Sequence, residues 1–177
     1  MTAHKQGLIK ICCIRPVSVY GPGMKGNVLT LIKLIRKGWL PSLDKFQAKI
    51  SMIGVHDLCN AAILAGNSER AEGKLYTVTD GKQYSIKELD YSIRNCLGKS
   101  QGTASLPKVA LLVASLFMEI ISKIFQLKNA IGYRSYLSVT QNNLFSNSQI
   151  KEELGYTPSQ SLDDVLPAII SNLKSEK

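Results

Sequence analysis

Histidine is scarce: only His4 and His56 occur in 177 residues. Neither has a Cys or His at metal-ligand spacing, so metal-assisted catalysis has no support. The four cysteines, Cys12, Cys13, Cys59 and Cys96, form no C-x-x-C pair. That argues against a zinc ribbon or a disulfide scaffold and points to a reducing, cytoplasmic setting. There is no G-x-S-x-G elbow, no P-loop, no internal repeat and no low-complexity tract. Residues 1–7 are polar and lack the apolar stretch of a secretory signal.

Runs of like charge are also missing. Lys and Arg number 22 against 13 Asp and Glu, a net charge of +9, yet no four basic residues adjoin. Nor do aromatics interleave with them, so no nucleic-acid module is expected. Most of the basic residues, Arg94 and Lys99 among them, read as solvated helix faces. The cluster from Lys25 to Lys49 differs, because it flanks a Gly-rich turn where an anionic small molecule would fit. Long hydrophobic runs are few. The longest, 109–118, is broken only by Ser115, and Glu119 and Lys123 interrupt the stretch beyond it. A membrane span needs about 20 apolar residues without charges. Residues 106–127 therefore read as a buried or interfacial helix that does not span, with membrane-surface contact the less favoured alternative.

What is present suffices for a folded core: 45% hydrophobic and 20% charged residues, in a length suited to one domain or a large piece of one. Residues 8–20 form a near-continuous apolar run, expected to be a buried parallel strand that ends or bends at Pro16. Gly21-Pro22-Gly23 breaks it, and Asn27 is expected to cap a helix that ends near Gly38. A second apolar run, 50–55, leads into a helix over 58–65, and 75–79 is a strand stopped by Asp80-Gly81. Ser85 and Glu88 form a capping box for a helix closing at Gly98. Helices are expected over 146–154 and 162–173, with Pro167 weakening the last. The pattern is α/β over the first hundred residues and mainly helical afterwards.

Several candidate chemistries reduce to plainer roles. Gly21 to Gly26 spells G-x-G-x-x-G, with Asp44 near the distance of a ribose-binding acid. In a dinucleotide fingerprint the third Gly packs inside the following helix. Here it precedes the expected N-cap, and Asp44 follows no apolar strand, so the fingerprint is not favoured. The helix N-terminus and Lys25 still offer N–H groups and charge to an anion such as a diphosphate. His56-Asp57 suggests an acid–base pair, but adjacent helical residues do not face one another. Met118 and the other methionines read as core filler, and Glu152-Glu153 as a solvated face.

Arg15-Pro-Val-Ser-Val-Tyr-Gly-Pro-Gly23 resembles the strand–loop of the extended short-chain dehydrogenases, the NAD-dependent epimerase/dehydratase family. Four further segments are similar in the same order: Asn27 with its helix, Ser51 to Leu58, Tyr76 to Leu89, and Ser148 to Pro158. The resemblance implies the C-terminal part of a Rossmann-type α/β enzyme. Residues 1–26 would end the NAD-binding sheet and carry the nucleotide-contact loop; 27–177 would be a substrate-binding region with interleaved Rossmann elements. It implies NAD or NADP in the complete enzyme, not retained by this chain alone. The implied substrate is a nucleotide sugar, as in a UDP-glucose 4-epimerase, and the implied partner is an N-terminal half. The family's catalytic Tyr-x-x-x-Lys does not occur, since none of the seven tyrosines has Lys four residues on. The chain alone is therefore expected to be inactive. Carried over, Pro16 and Val17 would contact the nicotinamide end of the cofactor. Ser18, Lys25, Asn27, Lys49 and Arg134 would contact substrate, and no metal is implied. Ser18 and Ile50 depart from the family's Asn and Arg. The alternatives are a hydroxysteroid or isoprenoid dehydrogenase-like member, suggested by the apolar helix, and a non-catalytic binding module.

Overall fold

The computed structural model describes residues 10–101, 105–124 and 132–175. Two compact units alternate along the chain: residues 1–24, 51–83 and 144–177 form the first, and 25–50 and 84–143 the second.

The first unit is built on short parallel strands. β1 (Cys13–Pro16) pairs with β4 (Leu75–Val78), Cys13 opposite Leu75 and Pro16 opposite Val78. β2 (Ser18–Tyr20) pairs with β3 (Lys49–Gly54), Ser18 opposite Met52. The apolar run therefore forms two strands, not the one expected. Pro16 has no N–H to continue the ladder, and beyond Val17 the chain changes partner from β4 to β3. Sheet order is β1-β4 in one and β2-β3-β5 in the other, β5 being Gln83–Ser85. Helix α2 (Val55–Gly66) follows β3 directly, and a 3₁₀ turn (Glu69–Ala71) leads into β4. Ile53, Ala61, Ala65, Tyr76, Val78, Ile150 and Tyr156 are buried together. The small residues Ala61 and Ala65 let α2 lie close to the strands. Helices α6 (Ser148–Leu154) and α7 (Leu162–Ser175) close the unit. α7 runs through the exposed Pro167, and Leu162, Leu166, Ile169, Ile170 and Leu173 form its buried stripe.

The second unit is helical. α1 (Asn27–Lys37) buries Val28, Ile32 and Ile35. Asn27 is the first helical residue and not the cap. Gly26, at φ 100°, holds that position and no side chain caps the helix. α3 (Ile86–Cys96) begins at the expected capping box: Ser85 Oγ accepts from the Glu88 N–H at 3.1 Å, and Glu88 accepts from the Ser85 N–H at 3.0 Å. α4 (Lys108–Ile124) packs on α5 (Tyr133–Thr140), a helix not anticipated from the sequence. Met118, expected in the core, is exposed on α4, whereas Met52 is buried.

Candidate functional site

An open groove in the second unit presents a mainly apolar surface, to which six aliphatic side chains contribute: Leu31 and Leu34 from α1, Leu40 and Leu43 from the segment after it, Leu111 from α4 and Val139 from α5. Among the described residues its polar contributors are uncharged: Asn27, Thr30, Ser115, Tyr136 and Ser138. Leucines three residues apart on α1 face the same side, which is why Leu31 and Leu34 share one wall.

A buried ion pair fixes the wall made by Leu40 and Leu43. Arg94 Nε donates to Asp90 Oδ1 at 2.9 Å, one turn away on α3. Arg94 Nη2 lies 2.9 Å from the Leu40 carbonyl and 3.2 Å from that of Pro41, while Asp90 Oδ2 accepts from the Leu43 N–H at 3.2 Å. Arg94 is thus buried, not the solvated residue expected from sequence. Its i,i+4 spacing from Asp90 was the available signal. Its role depends on carbonyls over fifty residues away, which spacing does not reveal.

In the first unit, Pro16 ends β1 and is exposed, Val17 is half-buried with its N–H directed at the Val78 carbonyl at 3.4 Å, and Ser18 starts β2 and is exposed. The carboxyl ends of parallel strands are where open α/β sheets bind ligands. Gly21, at φ 156°, lies against Val55: a Cβ there would meet Val55 Cγ1 at 2.7 Å. That glycine serves packing, and Gly26 sits at an N-cap, so the G-x-G-x-x-G letters do not form a phosphate cradle.

Of the remaining candidates, Lys25 and Asn27 are exposed at the start of α1, and Asn27 also lines the groove. Lys49 is exposed, its N–H donating to Asn142 Oδ1 at 2.8 Å. Arg134 falls in α5, its side chain outside the described residues, and His4 lies outside them too. Asp57 is fully buried and accepts from the Ser159 N–H and hydroxyl and the Gln160 N–H. Its carboxylate is an anchor for that loop, and the exposed His56 stands 3.9 Å from it. Glu153, expected on a solvated face, instead binds Lys74 at 2.6 Å and the Tyr76 hydroxyl at 2.7 Å. Those hydrogen bonds, Lys74 first, hold its carboxyl below the usual range. Burial, then the bond to Glu153, pushes the Tyr76 phenol up to about 12. Burial foremost, with Asp57 and Asp80 nearby, raises Tyr156. No group of three His, Cys, Asp or Glu that could hold a metal occurs among the described residues.

The parallel strand pairs, with a helix following β3 directly, have the Rossmann-type α/β fold of the extended short-chain dehydrogenases. The chain belongs to the 3-beta hydroxysteroid dehydrogenase/isomerase family, whose model matches residues 2–108. It is 24% identical to short-chain dehydrogenase/reductase family 42E member 1 of Danio rerio, covering 93% of this chain and 46% of that protein. It is 27% identical to the UDP-glucose 4-epimerase of Vibrio cholerae, covering 90% and 45%. The fold is that of UDP-glucuronic acid 4-epimerase from Bacillus cereus, solved with UDP-glucuronic acid and NAD. There the TM-score is 0.69 at 18% identity, covering 99% of this chain and 49% of that one. The chain spans about half the length of the curated relatives it matches.

Proposed function

We propose that the chain is the substrate-binding half of an NAD- or NADP-dependent dehydrogenase acting on a secondary hydroxyl of an apolar molecule, of the hydroxysteroid or isoprenoid class. In this reading the glycine fingerprint and the Tyr-x-x-x-Lys acid–base pair come from the other half of the protein, and the chain alone transfers no hydride. The observation that carries the reading is the groove, where, among the described residues, six aliphatic side chains and no charged one line the wall. Such a surface gains free energy by taking apolar area from water. Its described lining gives a diphosphate no cation. Asn27, which lines the groove with Thr30, Ser115, Tyr136 and Ser138, would help to orient a hydroxyl or carbonyl.

Residues toward the cofactor fit a limited role. Pro16, exposed at a strand end and without an N–H, offers an apolar edge to a nicotinamide ring, with Val17 beside it in sequence. The cofactor would supply the hydride acceptor. These two residues would only position it. A nucleotide-sugar epimerase is the second reading. Lys25 and Asn27 at the N-terminus of α1, with Lys49 elsewhere in that unit, support it, as does the likeness to UDP-glucose 4-epimerase.

The test is NAD reduction by the complete protein. An apolar secondary alcohol should yield NADH, and Leu34→Asp should raise KM for it more than it lowers kcat. Turnover of UDP-glucose in preference to every apolar alcohol would overturn the reading in favour of the second.

A further inference from the structure

The apolar groove adjoins a polar cavity, and the same three chain segments build both. The segment after α1 gives Leu40 and Leu43 to the groove. Three residues on, it gives Phe46, Gln47 and Ala48 to a cavity of about 220 Å³. Helix α4 gives Leu111 to the groove and Lys108 to the cavity, and residues three apart on a helix share a face. Helix α5 gives Val139 to both, and the chain runs on through Thr140 to Asn142 in the cavity. Walls that continue in step from one to the other make a trough with an apolar end and a polar end.

The polar end has the chemistry of an anion site. Lys108 is exposed and, among the described residues, forms no ion pair. Asn142 Oδ1 accepts from the Lys49 N–H at 2.8 Å, which fixes the amide and leaves its Nδ2 hydrogens to donate. Thr140 Oγ1 donates to the Tyr136 carbonyl at 2.8 Å and keeps lone pairs for a ligand hydroxyl. No Asp or Glu occurs among the described residues that line the cavity. The wider field has the same sign, because the second unit holds 13 Lys and Arg against four Asp and Glu. Three of those acids are engaged: Asp44 accepts from Ser105, Glu88 from Ser85 and Asp90 from Arg94. The fourth, Glu119, lies about three turns along α4 from Lys108.

We propose that the substrate is an amphiphile: an isoprenoid body in the groove, carrying a phosphate ester that Lys108 and the Asn142 amide hold in the adjoining cavity. The inference rests on the apolar-substrate reading and adds an anionic head to it. A linear chain with a terminal head matches a trough whose polarity changes along its length. A phosphate monoester carries about 1.5–2 negative charges at neutral pH and three acceptor oxygens, which suit an ammonium and an amide donor.

The experiment is calorimetric titration of the 177-residue chain with geranyl phosphate and with geraniol, the same body without the head. The phosphate should bind at least about tenfold more tightly, and the difference should shrink as salt rises. Lys108→Gln and Asn142→Asp should each remove most of that difference and leave geraniol binding unchanged. Asp at position 142 retains an oxygen for the Lys49 N–H, so this variant keeps the local backbone bond. Leu34→Asp should weaken both ligands. Lys33→Gln should alter neither, because Lys33 is an exposed lysine of α1 outside the lining of both ends. Equal affinity for the two ligands overturns the proposal and leaves the apolar groove standing. So does a preference that survives Lys108→Gln and Asn142→Asp, or one that Lys33→Gln removes equally. Binding of neither ligand overturns the groove reading and this proposal with it.

Discussion

Asp57 and Ser159, 102 residues apart, are joined by a hydroxyl-to-carboxylate hydrogen bond of 2.7 Å, and the Ser159 N–H donates to the same oxygen at 3.0 Å. The other carboxylate oxygen takes the Gln160 N–H at 3.2 Å. The first helix after β3 is thereby tied to the loop that precedes α7. Tyr20 reaches the same loop: its hydroxyl donates to Asp80 at 2.9 Å and lies 3.1 Å from the Gln160 carbonyl. A carboxylate that looked like half of an acid–base pair instead closes the first unit.

Asp57→Ala should therefore destabilise the chain by about 3 kcal/mol, because two N–H groups and a hydroxyl lose their buried acceptor. Ser159→Ala should cost about 1 kcal/mol, since the backbone bonds survive. Urea unfolding midpoints test the order. Equal effects would contradict the anchoring role.

Arg94→Ala should cost about 3–5 kcal/mol by leaving Asp90 buried without its cation. It should also loosen the groove wall at Leu40 and Leu43. Replacing Asp90 and Arg94 together by leucine should cost less than Arg94→Ala alone. A double-mutant cycle in chemical denaturation measures this.

Gly21→Ala should cost about 1–3 kcal/mol, because the new methyl would collide with Val55 Cγ1 and force its displacement. Gly21→Ala combined with Val55→Ala should recover part of the loss. Thermal unfolding of the two proteins is the check, and no recovery would place the cause in the backbone.

The pH dependence of stability should have two limbs of opposite sign. The carboxyls of Glu88, Glu153 and Asp164 are held below their ordinary values by hydrogen bonds, Glu88 and Asp164 from their cap serines and Glu153 from Lys74 foremost. Their contribution is complete above the ordinary value and is lost as pH falls through the lowered ones. Tyr76 is raised from 10.0 to about 12, so its contribution is complete below pH 10.0 and is lost as pH rises towards about 12. Glu153→Gln should flatten the acid limb and Tyr76→Phe the alkaline one, followed by melting temperature against pH.

Local signals carried much of the fold. The capping box at Ser85 and Glu88, the strand at 75–78 and the stop at Gly155 depend on neighbours in sequence, and each forms where its chemistry requires. The motif around Tyr20 was legible as a family resemblance, and the match to the family bears this out. β5 was missed because three residues are too few to show alternation. Arg94 and Glu153 were assigned to solvent because their partners, the Leu40 carbonyl and Lys74, are far away in sequence. Helix α4 was legible as apolar, but which side faces outward depends on tertiary packing. Of the candidate site residues, Asn27 lines the groove. The groove's aliphatic wall was not anticipated, because the leucines that make it come from separate segments of the chain.

The groove of the second unit is proposed to bind an apolar hydroxylated substrate. Trp39, the one tryptophan, precedes Leu40 of the groove wall in sequence and serves as the probe. The measurement is its fluorescence during titration of the 177-residue chain with a 3β-hydroxysteroid and, separately, with UDP-glucose. The expected result is a saturable change with the steroid, lost in Leu34→Asp and not displaced by UDP-glucose. A saturable change with UDP-glucose and none with the steroid would contradict the claim.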